Sequence, residues 1–173
     1  MGEEVLLIIR RALSEVLHGA MVPDLLNAAG QIRRRAYAPY SKYMVGAAIL
    51  TSSGEIYTGC NVESADYDGT HAEEAALAYM VGDGIRSPVM LAVLGGLEGN
   101  AGAVVMPCGK CRQKLWEFSS LSGYDLDVVV WDGKEGVVPQ LIKLSELPAK
   151  VTEEKNSAEI TGNGLERSDF RLF

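Results

Sequence analysis

Short apolar runs alternate with helix-patterned stretches along this chain, and that order limits its fold more than any other feature. "MVGAAIL" (44–50) and "EIYTGC" (55–60) flank the turn residues "TSSG", the pattern of a β-hairpin. A helix is expected from His71 to about Val81. "VMLAVLGG" (89–96) is a continuous apolar run of the buried-strand kind. "PCGKCRQKLWEF" (107–118) opens a second short helix at its proline, and "LDVVVW" (126–131) is a further strand before the turn "DGKEG". Strands alternating with helices predict an α/β sheet with helices on its faces. The glycine-rich stretch after the 89–96 run lacks the spacing of a phosphate-binding loop and reads as a flexible connection.

Upstream, Val5, Leu6, Ile9, Leu13, Val16 and Leu17 recur at helical spacing, with Gly19 as a C-cap. Pro23 is expected to open the next helix, with Leu25, Leu26, Ala29, Ile32 and Ala36 on its buried face. "RRR" at 33–35 reads as a solvated basic edge near that helix's C-terminus, where cations are favourable. The last two dozen residues are polar and read as a loosely held tail. The expected organisation is a helical extension over 1–22, one domain over 23–149 and a tail over 150–173.

A chain of 173 residues, 47% hydrophobic and 23% charged, can bury a core in one domain. A net charge of −7 argues against a nucleic-acid partner, because phosphate binding needs a basic face. Three cysteines, an odd number, suggest free thiols in a reducing compartment. The early run "VLLII" (5–9) is too short for a signal or membrane segment, and its flanking charges are in the wrong order. These features predict a cytoplasmic protein with a small-molecule partner and no membrane association.

Cys108 and Cys111 fall on one face at a helix N-terminus, where the helix's partial positive charge favours thiolates. Thiolates so placed bind a metal or form a redox pair, but the element order is not that of a thioredoxin-like protein. A third ligand must come from His18 or His71. His18 closes the first helix, where an imidazole complements the helix dipole. His71 also starts a helix, so bringing the two N-termini together makes His71, Cys108 and Cys111 enclose a metal with one position open. An open position marks a catalytic zinc and a closed shell a structural one. Cys60 would close it, giving a non-catalytic zinc-stabilised binding domain, yet a lone cysteine in a strand is more often a core residue. Zinc with two thiolates and a neutral imidazole sums to zero charge, leaving it acidic enough to ionise water. Glu73, two residues after His71, is the expected general base and acid. The competing role for Glu73 is a capping box with Thr70.

"HAE" (71–73) followed by "PCGKC" (107–111) resembles the signature of the zinc deaminases. With "AYAPYSKYMVGAA" (36–48), "IYTGCNVE" (56–63) and "PCGKCRQ" (107–113), residues 25 to 148 are similar to the cytidine deaminases that act on free nucleosides. The resemblance implies a three-layer α/β fold with a mixed five-stranded sheet between helices. It also implies a zinc cofactor, and usually a homotetramer, with a homodimer as the alternative. The implied reaction is hydrolysis of cytidine or deoxycytidine to the uridine counterpart. Asn61 and Glu63 match the pair that holds the ribose 3′-hydroxyl, and Tyr43 stands where the family has a phenylalanine facing the pyrimidine. Most single-domain members have cysteine at the position of His71, and after the glutamate an arginine that compensates charge. Here that position is Glu74, and one thiolate fewer removes the need for the arginine. The loop before His71 is one residue shorter than usual, and the closing "L-L-P-x-x-F" appears as "ELPAKV". A modified cytidine or a cytosine nucleoside antibiotic of the blasticidin type is the alternative substrate, although Glu63 speaks against the antibiotic.

Overall fold

The computed structural model describes residues 19–66, 68–100, 102–130 and 138–147. Helix α1 covers residues 19–33. Strands β1 (Tyr43–Thr51) and β2 (Ile56–Cys60), helix α2 (Ala72–Gly82), strands β3 (Pro88–Leu97) and β4 (Ala103–Val104) and helix α3 (Gly109–Ser122) follow. Strands β5 (Asp127–Val130) and β6 (Gln140–Lys143) and a 3-10 turn (Leu144–Glu146) complete the order. The sheet runs β2-β1-β3-β5-β6, with the two-residue β4 paired on β3. Among the described strands only β3 and β5 pair in parallel, and α3 lies in the crossover between them. The main path of the mixed sheet has five strands, the number the resemblance implied, with β4 added on β3.

Both faces of the central strands are covered, which is why their sequences are continuously apolar. Ala47 and Ile49 of β1 and Leu91 and Val93 of β3 pack with Ala72, Ala76 and Met80 of α2 and Leu115 of α3. The alternate residues Ala48, Leu50, Met90 and Ala92 pack with Val22, Leu25 and Ala29 of α1 on the other face. Two glycines let the helices approach. A Cβ on Gly46 would stand 2.2 Å from the Ala29 carbonyl oxygen of α1, and one on Gly59 would stand 2.3 Å from the Ala76 nitrogen of α2.

Several expectations need correction. No break separates Gly19 from Pro23: α1 runs through both. Proline removes one helical hydrogen bond there, and burial of Val22, Leu25 and Ala29 carries the helix through. Arg33 is not a solvated edge. It is 4% exposed and donates to the carbonyls of Met44 (2.9 Å), Leu97 (3.0 Å) and Asn100 (2.8 Å). The glycine-rich stretch is therefore a wrapping around a buried guanidinium, with Gly102, at φ +85°, passing so close that a Cβ would meet Arg33 Cζ at 3.0 Å. Helix α3 begins after Pro107, with Cys108 as its N-cap, and extends to Ser122, where Gly123 takes φ +70°. Strand β6 had no sequence expectation, and Asp127 and Lys143 link it to β5 at 2.6 Å. The expected first helix, with His18, the "DGKEG" turn and the tail lie outside the described residues.

Candidate active site

Helices α2 and α3 start close together, over the end of the sheet where β1 begins and β3 finishes. His71 is the N-cap of α2, in extended conformation, and its backbone N–H donates to Glu74 Oε2 at 2.9 Å. The Thr70 backbone is paired with Val62 instead (2.9 and 3.0 Å), so helix capping falls to Glu74 and Glu73 is left free of it. Preference for Ser, Thr, Asp or Asn at an N-cap had pointed to Thr70 and hidden this arrangement. Cys108 caps α3, and its carbonyl accepts from the Arg112 amide at 2.9 Å. The Arg112 side chain donates to the Pro107 carbonyl at 2.8 Å, which fixes the approach to that cap.

His71 Nδ1 lies 3.3 Å from both Cys108 Sγ and Cys111 Sγ. Ligands at ordinary zinc–sulfur and zinc–nitrogen lengths in a tetrahedron stand about 3.5 Å apart. Among the described residues, these three alone form a metal-sized cluster of donors. Cys60 is half-buried in β2 and is not one of them, and burial pushes its thiol up.

Glu73 is 5% exposed, and burial pushes its carboxyl up despite a hydrogen bond with Cys111. Burial, and then the Glu73 charge, push the Cys111 thiol far above its usual range. Two buried groups that each resist negative charge thus stand side by side, and a divalent cation is the counter-charge that relieves both. The donor set fits zinc.

A cavity of about 480 Å³ opens beside these groups. His71, Glu73, Cys108, Tyr43 and Asn61 line it, and Val45, Val93, Val105 and Met106 supply apolar surface. The Tyr43 ring lies over Gly95, where a Cβ would stand 2.8 Å from its hydroxyl. Asn61 Nδ2 donates to the Tyr43 carbonyl (3.0 Å) and its Oδ1 accepts from the Val45 amide (2.7 Å), so Asn61 ties the end of β2 to the start of β1. Glu63 does not line the cavity. It accepts from the amides of Tyr40 (2.9 Å) and Ser41 (3.3 Å) and from the Ser41 hydroxyl. Of the sequence-derived site residues, His71, Glu73, Cys108, Tyr43 and Asn61 meet at one cavity, Cys111 lies against His71 and Glu73, and Glu63 stands one hydrogen bond away through Ser41.

A family model described as the cytidine and deoxycytidylate deaminase zinc-binding region matches residues 22–122. The chain belongs to this deaminase family. A cytidine deaminase from Sporosarcina psychrophila is 46% identical over 98 residues, covering 56% of this deaminase and 69% of that protein. One from Mycobacterium tuberculosis (strain ATCC 25618 / H37Rv) is 38% identical over 128 residues, covering 72% and 91%. The crystal structure of cytidine deaminase from Mycobacterium tuberculosis superposes on this deaminase with a TM-score of 0.59 at 35% identity, covering 72% of this chain and 91% of that one. That of the Mycobacterium leprae cytidine deaminase gives 0.61 at 29% identity, covering 74% and 97%. Among the described residues, no helix of this deaminase is long and apolar enough to cross a membrane.

Proposed function

We propose that the protein deaminates cytidine or deoxycytidine hydrolytically, with zinc held by His71, Cys108 and Cys111 and with Glu73 moving the proton. The observation that carries this reading is His71 Nδ1 standing 3.3 Å from each sulfur while the buried Glu73 carboxyl lines the same cavity. When bound, zinc makes water acidic enough to ionise near neutrality. Glu73 takes a proton from the attacking water and delivers it to N3 of the pyrimidine. It then takes the second proton, left on the oxygen added at C4, and passes it to the amine as the C4–N bond breaks, which leaves a carbonyl and ammonia. Its burial suits that work, because a carboxyl pushed up from its ordinary range gives a proton back as readily as it takes one.

Tyr43, Val45, Val93 and Met106 supply the apolar surface on which a pyrimidine packs. Asn61 orients the sugar end, and Glu63 reaches the ribose 3′-hydroxyl by exchanging its Ser41 contact for substrate. The deaminase domain, expected over 23–149, is taken to include the whole of α1, because that helix runs unbroken from residue 19 and Val22 packs in the core. It is placed in the cytoplasm, where three reduced cysteines persist. Tyr43 and Met106 line the cavity yet remain partly exposed, which supports assembly with further copies, as a homotetramer, over the cavity mouth. Light scattering tests the tetramer directly.

A panel of cytosine nucleosides followed by absorbance at 280–290 nm tests the substrate, with cytidine and deoxycytidine expected to turn over. Activity confined to a modified cytosine nucleoside refutes the assignment. Glu73→Gln is expected to keep one zinc per chain while losing about 10²- to 10⁴-fold in kcat, the usual worth of a positioned acid–base. Near-wild-type turnover of that variant removes Glu73 from the role.

A further inference from the structure

We infer that Glu74 is a positioning residue for the metal ligands: it joins the two ligand-bearing helix ends through Lys110 and Lys114. One carboxylate oxygen accepts from the backbone N–H of the ligand His71 at 2.9 Å. The other meets Lys114 Nζ at 2.6 Å and Lys110 Nζ at 3.3 Å. Lys110 sits between Cys108 and Cys111 in the chain, and Lys114 follows Cys111 by three residues, nearly one helical turn. Lys110 Nζ is also 3.7 Å from Asp68, three residues before His71. His71 is thus bracketed in sequence by two carboxylates, and both are tied to lysines of the helix that carries the other two ligands.

Ion pairs between exposed side chains contribute little, and Lys110 and Lys114 are 49% and 50% exposed. Glu74 is different, since its side chain is only 9% exposed and has little water to replace those partners. Its charge is therefore held where the amide and the two ammonium groups hold it. The residues of α2 that pack on the sheet are Ala72, Ala76, Leu77 and Met80, so Glu74 stands outside the core and its loss leaves that packing in place. Groups that orient metal ligands from behind typically govern metal retention by 10- to 100-fold.

The inference rests on His71, Cys108 and Cys111 being the ligands. Its test is the rate at which the zinc-loaded enzyme releases metal to a chromogenic chelator. Glu74→Gln keeps shape and an acceptor for the His71 amide but removes the charge, and it is expected to speed release about 10- to 100-fold. The double variant Lys110→Met, Lys114→Met should do likewise. The three changes together should release zinc about as fast as Glu74→Gln alone, because they break one unit. Raising the salt concentration should speed release from the wild type and leave Glu74→Gln almost unaffected, a comparison that holds even if the lysine variants fold poorly. Cobalt-substituted Glu74→Gln should show a shifted visible absorption band, reporting altered ligand geometry. Release at the wild-type rate with an unchanged cobalt spectrum, or effects that multiply independently, overturns the positioning role alone. Wild-type protein without stoichiometric zinc overturns the ligand assignment beneath it.

Discussion

Replacing Gly59 with alanine puts one methyl group where β2 and α2 already touch. The new carbon would stand 2.3 Å from the Ala76 nitrogen, 2.5 Å from the Ala72 carbonyl oxygen and 2.7 Å from the Ala75 Cβ. Two of those neighbours are helix backbone, which no rotamer change can move. Ordinary contacts begin at 3.4 Å, so in a close-packed interior α2 must retreat from the sheet by about 1 Å. Overpacking of this kind costs about 1–3 kcal/mol, which lowers the melting temperature by about 3–10 °C in a domain of this size. The retreat also carries His71 and Glu73 with the helix, while Cys108 and Cys111 stay on α3. A misplacement of about 1 Å at reacting groups costs on the order of 10²-fold in rate. Turnover on cytidine, zinc content and thermal melting are to be measured together, with Gly82→Ala as the control. A Cβ at Gly82, on the same helix, meets nothing within 4 Å, and alanine there should be neutral or stabilising by up to about 1 kcal/mol. Gly59→Ala with wild-type turnover and full zinc refutes the claim that this contact sets the position of the site.

Arg33→Met removes three hydrogen bonds to the carbonyls of Met44, Leu97 and Asn100 and should cost about 1–3 kcal/mol. Hydrogen exchange should quicken around 97–100, and unchanged protection there contradicts the wrapping. Cys60→Ser should retain one zinc per chain by metal analysis, whereas loss of zinc would mean that Cys60 belongs to the shell. Lys143 is raised above its ordinary value because Asp127 and the Tyr124 hydroxyl outweigh its partial burial, so its stabilising share is whole below the unfolded value of 10.5 and drains away as pH rises through the folded one. The stability gap between wild type and Lys143→Met should stay level from neutral pH to about pH 10 and narrow above it, and a gap that stays constant into strong alkali refutes the pairing.

The elements legible in the sequence are those whose residues answer to one local rule. The β1/β2 hairpin declares itself through two apolar runs and a polar turn, and β3 through a run too apolar for any but a doubly covered strand. Its flanking helices declare themselves by their first turns, at His71–Glu73 and at Pro107. Gly19 and Pro23 signal a break that α1 does not have, because proline's local cost is visible in a sequence and the burial of Val22, Leu25 and Ala29 is not. Strand β6 escaped notice because "QLIK" is short and its residues are exposed or only half-buried, so its pairing depends on β5 rather than on its own composition.

Site chemistry divides along the same line. Residue type and spacing name His71, Cys108 and Cys111 as donors and Glu73 as the proton carrier, since soft thiolates, imidazole and an adjacent carboxylate have few other uses together. Which glutamate caps α2 is a matter of where the helix starts, and one residue's difference moved that duty from Glu73 to Glu74. The burial of Arg33 and the union of Glu74 with Lys110 and Lys114 come from segments distant in the chain. Charges of that kind read as solvent-facing in a sequence, because only the packed fold decides which of them lose their water.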